Sequence, residues 1–114
     1  MTIAVVGGSN FDFAAKVAKL PTQGQTVVSH NYRTGPGGKG CNQAFAVARL
    51  GVPPIFISKI GDDLLGRQLL ETLTLEGLDT TNMVVANEAQ TGIALISIDD
   101  AGENMITVVG GANM

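Results

Sequence analysis

Apolar and polar residues follow two different periods along this chain, and the switches between them mark its elements. Thr2 to Gly8, "TIAVVGG", is a short β-branched run closed by two glycines, the pattern of a buried strand. "FAAKVAKLP" has no decisive period. The turn at Pro21 to Gly24 and the alternating "TVVSHNYRT" behind it nevertheless predict an antiparallel pair. From Asn42 to Leu50, the residues Ala44, Phe45, Val47, Ala48 and Leu50 trace one helical face, ended by Gly51 and barred from continuing by Pro53 and Pro54. "IFISKIG", Ile55 to Gly61, predicts a second buried strand. Asp62 and Asp63 are placed as caps of the helix "DLLGRQLLETLTLEG", which Gly77 closes. "NMVVA" reads as a third strand, and "TGIALISI" with "NMITVVGG" as a hairpin around Asp99 to Glu103.

Strands alternating with helices predict a parallel α/β sheet. The two hairpin-like segments fit that sheet poorly and are expected to form a small separate β layer. The last strand runs into "GGANM" with no helix after it, which would leave an apolar sheet edge unpaired. The expectation is therefore that the chain is the front part of a longer protein.

Composition narrows the partners. Hydrophobic residues make up 45% and charged residues 15% of the 114, the balance of a chain that builds a core. The net charge of −3, with basic residues scattered rather than striped, argues against nucleic-acid binding. Cys41 is the single cysteine, so no internal disulfide forms and a reducing compartment fits best. The N-terminus lacks a signal-peptide layout, and no apolar run approaches the ~20 residues of a membrane span. A cytoplasmic protein without membrane contact is expected.

The candidate chemistry lies in "TGPGGKGCNQAFAVARLG", Thr34 to Gly51, where four glycines and a lysine fall within six residues. Gly35, Gly37 and Gly40 satisfy G-x-G-x-x-G, and Asp62 lies downstream where a ribose-binding acid of a dinucleotide site would stand. That fingerprint needs a buried first strand just before it, and "VVSHNYRT" is polar and alternating. A Walker A reading fails as well, because Gly38-Lys39 is followed by Gly40 rather than Ser or Thr. What remains is a backbone able to approach a ligand closely and a helix start with free N–H groups, joined by the donors of Lys39 and Asn42. The bland alternative is a tight turn whose glycines supply positive φ.

Asn10 and Asp12 follow the first strand, where ligands of open α/β sheets bind. If the chain stays extended there, both side chains point the same way and offer an amide and a carboxylate to vicinal hydroxyls. The competing reading is an Asx turn. Phe11 and Phe13 stand beside them as candidates for setting pocket size. Cys41, at a helix start, is read as a packing residue before a reactive thiol.

With these pieces in place, "VVGGSNFDF", "LPTQGQTV", "GPGGKGCNQAFAVARLG", "KIGDDLLGRQLLETLTLEGLDTT", "TGIALISIDDAGEN" and "GGAN" resemble the N-terminal part of the ribokinase-like (PfkB) family of carbohydrate and nucleoside kinases, in family order over nearly the whole chain. "GGKG-x-NQA" with "SN-x-D" resembles the ribokinase branch more than the adenosine or fructose kinase branches. The resemblance implies a three-layer α/β fold with a small β lid, here truncated, with lid segments around residues 13–34 and 91–110. It implies that Asn10 and Asp12 hold sugar hydroxyls, that Gly37, Gly38, Lys39 and Asn42 complete the sugar site, and that Ala94 and Ile96 pack against the sugar from the lid.

The family reaction converts ATP and, in this branch, D-ribose into ADP and D-ribose 5-phosphate, with Mg²⁺ and a monovalent cation such as K⁺. The family's catalytic aspartate, anion hole, ATP pocket and cation loop belong to a C-terminal part that finds no match here. No catalytic, cofactor-binding or metal-ligating residue is therefore assigned, and Asp12 is kept as a binding residue. The expectation is a sugar-binding part that does not turn over alone. Its rivals are a kinase part for another sugar or nucleoside, and a non-catalytic fragment that self-associates. A homodimer or larger assembly through lid strands or the sheet edge is expected.

Overall fold

The computed structural model describes all of residues 1–114. Three strands, β1 (Ala4–Val6), β4 (Ile55–Gly61) and β5 (Met83–Ala86), form a parallel sheet in the order β1-β4-β5. Helices α1 (Lys39–Arg49) and α2 (Leu64–Leu75) supply the crossovers that parallel pairing demands. Strand β4 alternates strictly: Phe56, Ser58 and Ile60 are buried, while Ile55, Ile57 and Lys59 face out. Phe56 and Ile60 join Val5, Cys41, Ala44, Phe45, Leu69, Leu73 and Leu78 in one core between sheet and helices. Each large aliphatic or aromatic side chain closed into it contributes about 1.5–3 kcal/mol. The opposite face of the sheet presents Val6, Ile57 and Val84 to solvent.

The two hairpin-like segments form the separate small β layer expected of them. β2 (Asn10–Lys16) pairs antiparallel with β3 (Asn31–Gly37), β6 (Gly92–Ile98) pairs antiparallel with β7 (Asn104–Val109), and β2 joins β6 in parallel. The result is one four-stranded sheet in the order β3-β2-β6-β7. Its inner end rests on the core: Phe11 is buried, and Phe13 and Ile93 pack beside it. Phe11 and Phe13 meet edge to face with centroids 5.2 Å apart.

Several boundaries differ from expectation, each for a local reason. β3 begins at Asn31, leaving Val27 and Val28 outside the ladder. The Ser29 hydroxyl lies 2.6 Å from the Lys16 carbonyl and 2.7 Å from that of Asn31, offering the backbone a side-chain partner where a strand pair would have begun. β3 then runs on through Gly35, Pro36 and Gly37, and α1 starts at Lys39 rather than Asn42. The apparent glycine loop is thus a strand end, one turning residue and a helix start.

The cap of α2 is Asp63, whose carboxylate accepts from the Gly66 N–H at 2.8 Å. Asp62 instead pairs with Arg67 at 3.3 Å on the surface. Asp63 also accepts from the Thr91 hydroxyl at 2.6 Å and the Thr91 N–H at 2.9 Å, while that hydroxyl accepts from the Gly61 N–H at 3.0 Å. One carboxylate therefore ties the end of β4, the start of α2 and the residue leading into β6.

Candidate functional site

Asn10 and Asp12 lie within β2, so the chain is extended there and the Asx turn is not formed. Alternation sends their side chains to one face and Phe11 to the other. Phe11 is 3% exposed in the core, which removes it from any pocket on the Asn10 face. Phe13 turns with it. Pairing then fixes the neighbours of the polar pair: Asn10 stands between Gly37 and Gly92, Asp12 between Gly35 and Ala94, and Ala14 beside Ile96. Ala94 is buried, and Ile96, half-buried, sits about 7 Å further out along the strand.

Glycines are required at two positions. A Cβ on Gly37 would lie 2.0 Å from Oδ2 of Asp12, so the carboxylate occupies the space a side chain would take. Gly38 has φ 93°, a left-handed conformation that favours glycine. Its turn lays the start of α1 against the end of β1, where the Cys41 N–H donates to the Gly8 carbonyl at 3.2 Å. No side chain caps α1. Lys39 and Asn42, three residues apart on its first turn, are exposed and share a face. Lys39 makes no ion pair.

Asp12 is electrostatically unusual. Its Oδ1 is buried and has no hydrogen-bond partner, and desolvation pushes its carboxyl above the ordinary carboxylate range. Native structures rarely leave a buried acceptor unmatched unless something else fills the position in use. Here the acceptor stands on the same face as Asn10, seated in the space that Gly37 leaves. Cys41 behaves otherwise: burial, helped by Glu76 and Asp12, pushes its thiol up to about 12. It is a core residue and not a nucleophile.

Two residues of the "SN-x-D" and "GGAN" motifs to which the sequence assigned no role support the arrangement. Ser9 is fully buried, and its hydroxyl lies 2.7 Å from that of Ser58. Asn113, in the one-turn helix Gly111–Asn113, reaches back to accept from the Ser9 N–H at 3.0 Å. It also donates to the Ser9 carbonyl at 3.0 Å and to Oδ1 of Asn10 at 2.8 Å.

A family model described as pfkB family carbohydrate kinase matches residues 1–114. The chain belongs to that family. It is 39% identical over 112 residues to the ribokinase of Haemophilus influenzae, covering 98% of this chain and 37% of that protein. It is 40% identical over 111 residues to the ribokinase of Bacillus subtilis, covering 97% of this chain and 38% of that one. Among solved structures, Arabidopsis thaliana ribokinase complexed with ribose and ATP superposes with a TM-score of 0.84 at 35% identity, covering 99% of this chain and 37% of its own. Thermotoga maritima ribokinase gives 0.85 at 36% identity over 97% of this chain and 37% of its own. The chain thus spans somewhat over a third of the length of these PfkB relatives. The mixed α/β fold with its second small sheet is the one expected of the family.

The Arabidopsis relative was solved with ATP as well as ribose, and the residues of this chain bring together no set that fits a polyphosphate. No group of three or more His, Cys, Asp or Glu side chains converges. The one buried polar side-chain atom lacking a partner belongs to a lone carboxylate beside an amide. That donor set suits hydroxyls, not a polyphosphate. No helix is long and apolar enough to cross a membrane.

Proposed function

We propose that this chain is the sugar-binding part of a carbohydrate kinase whose whole reaction transfers the γ-phosphoryl group of ATP to D-ribose, giving ADP and D-ribose 5-phosphate. The observation that carries the reading is the unpartnered, buried oxygen of Asp12 beside Asn10, where Gly37 leaves room for the Asp12 carboxylate and Gly92 for the Asn10 amide. A carboxylate accepts from one hydroxyl and an amide donates to its neighbour, the complement of a vicinal diol. Lys39 and Asn42 add donors from the helix start, and Ala94 and Ile96 form the apolar wall. The Arabidopsis relative supports the choice of sugar, having been solved with ribose and ATP.

ATP, Mg²⁺ and K⁺ act in the whole reaction and are assigned to no residue of this chain. Asp12 binds and does not abstract a proton, so the chain alone is not a kinase. A second sugar has specific support in the deoxyribokinase of Salmonella typhi, 32% identical over 113 residues. D-ribose and 2-deoxy-D-ribose are therefore titrated side by side.

The β3-β2-β6-β7 sheet is the proposed lid, comprising the segments around residues 13–34 and 91–110. Its outer strand β7 exposes Met105, Ile106 and Val108, which supports pairing of two copies in the cytoplasm. The test of function is calorimetric titration of the chain with D-ribose, with Asn10→Ala and Lys39→Ala alongside and ATP turnover measured in parallel. Saturable ribose binding, lost in both variants and without turnover, is the expected result. Equal binding by the variants overturns the site, and ATP-dependent ribose phosphorylation by the chain alone overturns the division of labour.

A further inference from the structure

The side-chain amide of Asn113 touches three groups, and two of them leave no freedom in its orientation. The Ser9 N–H is a donor and the Ser9 carbonyl an acceptor, whatever else changes. The Asn113 atom 3.0 Å from the Ser9 N–H must therefore be its oxygen, and the atom 3.0 Å from the Ser9 carbonyl must be its nitrogen. That nitrogen carries a second hydrogen, directed at Asn10 across 2.8 Å. The Asn10 atom receiving it must be an acceptor, which fixes Oδ1 toward Asn113 and leaves Nδ2 to face the other way. An orientation that is ordinarily a matter of assignment is here dictated by backbone groups.

The consequence concerns the ligand. We infer that Asn113 is a positioning residue that makes Asn10 a pure hydrogen-bond donor toward the site. Asp12, two residues along the same face, is a pure acceptor when ionised. Resting on the sugar-binding reading above, the pair then selects adjacent hydroxyls in a defined sense, one oxygen accepting from Asn10 and the next hydroxyl donating to Asp12. The glycines are part of the device. A Cβ on Gly92 would lie 2.2 Å from Nδ2 of Asn113 and 2.7 Å from Oδ1 of Asn10, so any side chain there would break the contact. A Cβ on Gly8 would press on Oδ1 of Asn113 at 3.0 Å. The "GGAN" segment, which holds none of the proposed sugar-binding residues, thereby sets the polarity of one of them.

The experiment reads orientation and affinity separately. Side-chain amide exchange is first measured by NMR on the ligand-free chain. Both Asn113 hydrogens are engaged, whereas those of Asn10 have no partner in the chain, so the Asn113 amide exchanges on the order of tenfold more slowly. Asn113→Asp removes the donor and leaves an acceptor facing Asn10, so the Asn10 amide turns to donate and becomes the protected one. Asn10→Asp keeps an acceptor for Asn113, whose amide stays protected, but replaces the donor that faces the sugar. This second variant decides the matter if Asn113→Asp does not fold.

D-ribose and its 2-deoxy and 3-deoxy analogues are then titrated into each folded form. In the parent chain one analogue binds about tenfold more weakly than ribose, the loss expected for one hydrogen bond to the amide. In both variants ribose falls to the level of that analogue while the other analogue keeps its ratio to ribose. A merely structural role for Asn113 would weaken all the sugars alike. Equal exchange of the Asn10 and Asn113 amides, or variants that weaken all three sugars in proportion, overturns the inference. Ordered exchange in a chain that binds none of the sugars would leave the orientation standing and refute the sugar-binding reading instead.

Discussion

Replacing Asp12 with Ala is expected to stabilise the folded chain while abolishing sugar binding. Asp12 makes no hydrogen bond within the chain, so the substitution breaks none, and its Oδ1 is buried without a partner. An unmatched buried acceptor costs roughly 1–3 kcal/mol. The lower end applies, because only one of the two oxygens is sealed from water, and the variant is expected to gain about 1 kcal/mol at neutral pH. With a urea slope of about 1–2 kcal/mol per M, the midpoint rises by roughly 0.5–1 M.

The pH dependence has a definite sign. Desolvation raises the Asp12 pKa above its ordinary 3.8, so its contribution to stability is fully present below that value, where the carboxyl is neutral in both states. It is lost as the pH rises through the elevated folded value. The advantage of Asp12→Ala over the parent therefore narrows at about pH 3, where the cost of burying a charge is gone, and widens above it. Urea titrations at both pH values, with ribose calorimetry on the same samples, provide the assay. A variant less stable than the parent at neutral pH, or a gap unchanged by acid, would refute the view of Asp12 as a binding group held at a cost in stability.

Asp63→Ala has the opposite character. It removes a helix cap worth about 1 kcal/mol and strands the buried Thr91 donors, so urea unfolding should show a loss of roughly 2–4 kcal/mol. Hydrogen bonds from Thr91 and Gly66 hold the Asp63 carboxyl below its ordinary range against a desolvation that opposes them. Its contribution is present above the unfolded pKa and lost as pH falls through the lower folded one, so the deficit of the variant shrinks in acid. Gly40→Ala drives a Cβ to 2.6 Å from the Gly7 backbone and should cost about 1–3 kcal/mol in thermal or urea unfolding. Gly37→Ala displaces the Asp12 carboxylate and should abolish ribose binding by calorimetry while the circular dichroism spectrum stays that of the parent. Cys41, fully buried with its thiol pushed up to about 12, should resist Ellman's reagent in the folded chain and react at once in denaturant.

Local chemistry made much of this fold legible. The leucine spacing of α2, the glycines that follow both helices with φ 91°, and the turn between β6 and β7 all act within a few residues of themselves. The residues themselves singled out Asn10, Asp12, the glycines, Lys39 and Asn42, the family resemblance added Ala94 and Ile96, and the structure brings Asn10, Asp12, Gly37, Ala94 and Ile96 onto one sheet face. What was illegible depends on partners far along the chain. Both hairpin-like segments were legible as one small layer, but not the parallel pairing of β2 with β6 that joins them. The choice of Asp63 over Asp62 as cap is made together with Thr91, a residue that no helix pattern includes. The role of Asn113 rests on contacts to Ser9 and Asn10, more than a hundred positions away.

The central claim is that one face of β2, with the Gly38 turn and the start of α1, holds a pentose. It is tested most directly by titrating ¹⁵N-labelled chain with D-ribose and following the amide resonances. Saturable shifts are expected at Asn10, Asp12, Gly37, Gly38 and Lys39, and none in the spectra of Asp12→Ala. A folded chain whose resonances do not move, or whose saturable shifts fall on the exposed face of Val6, Ile57 and Val84, would contradict it.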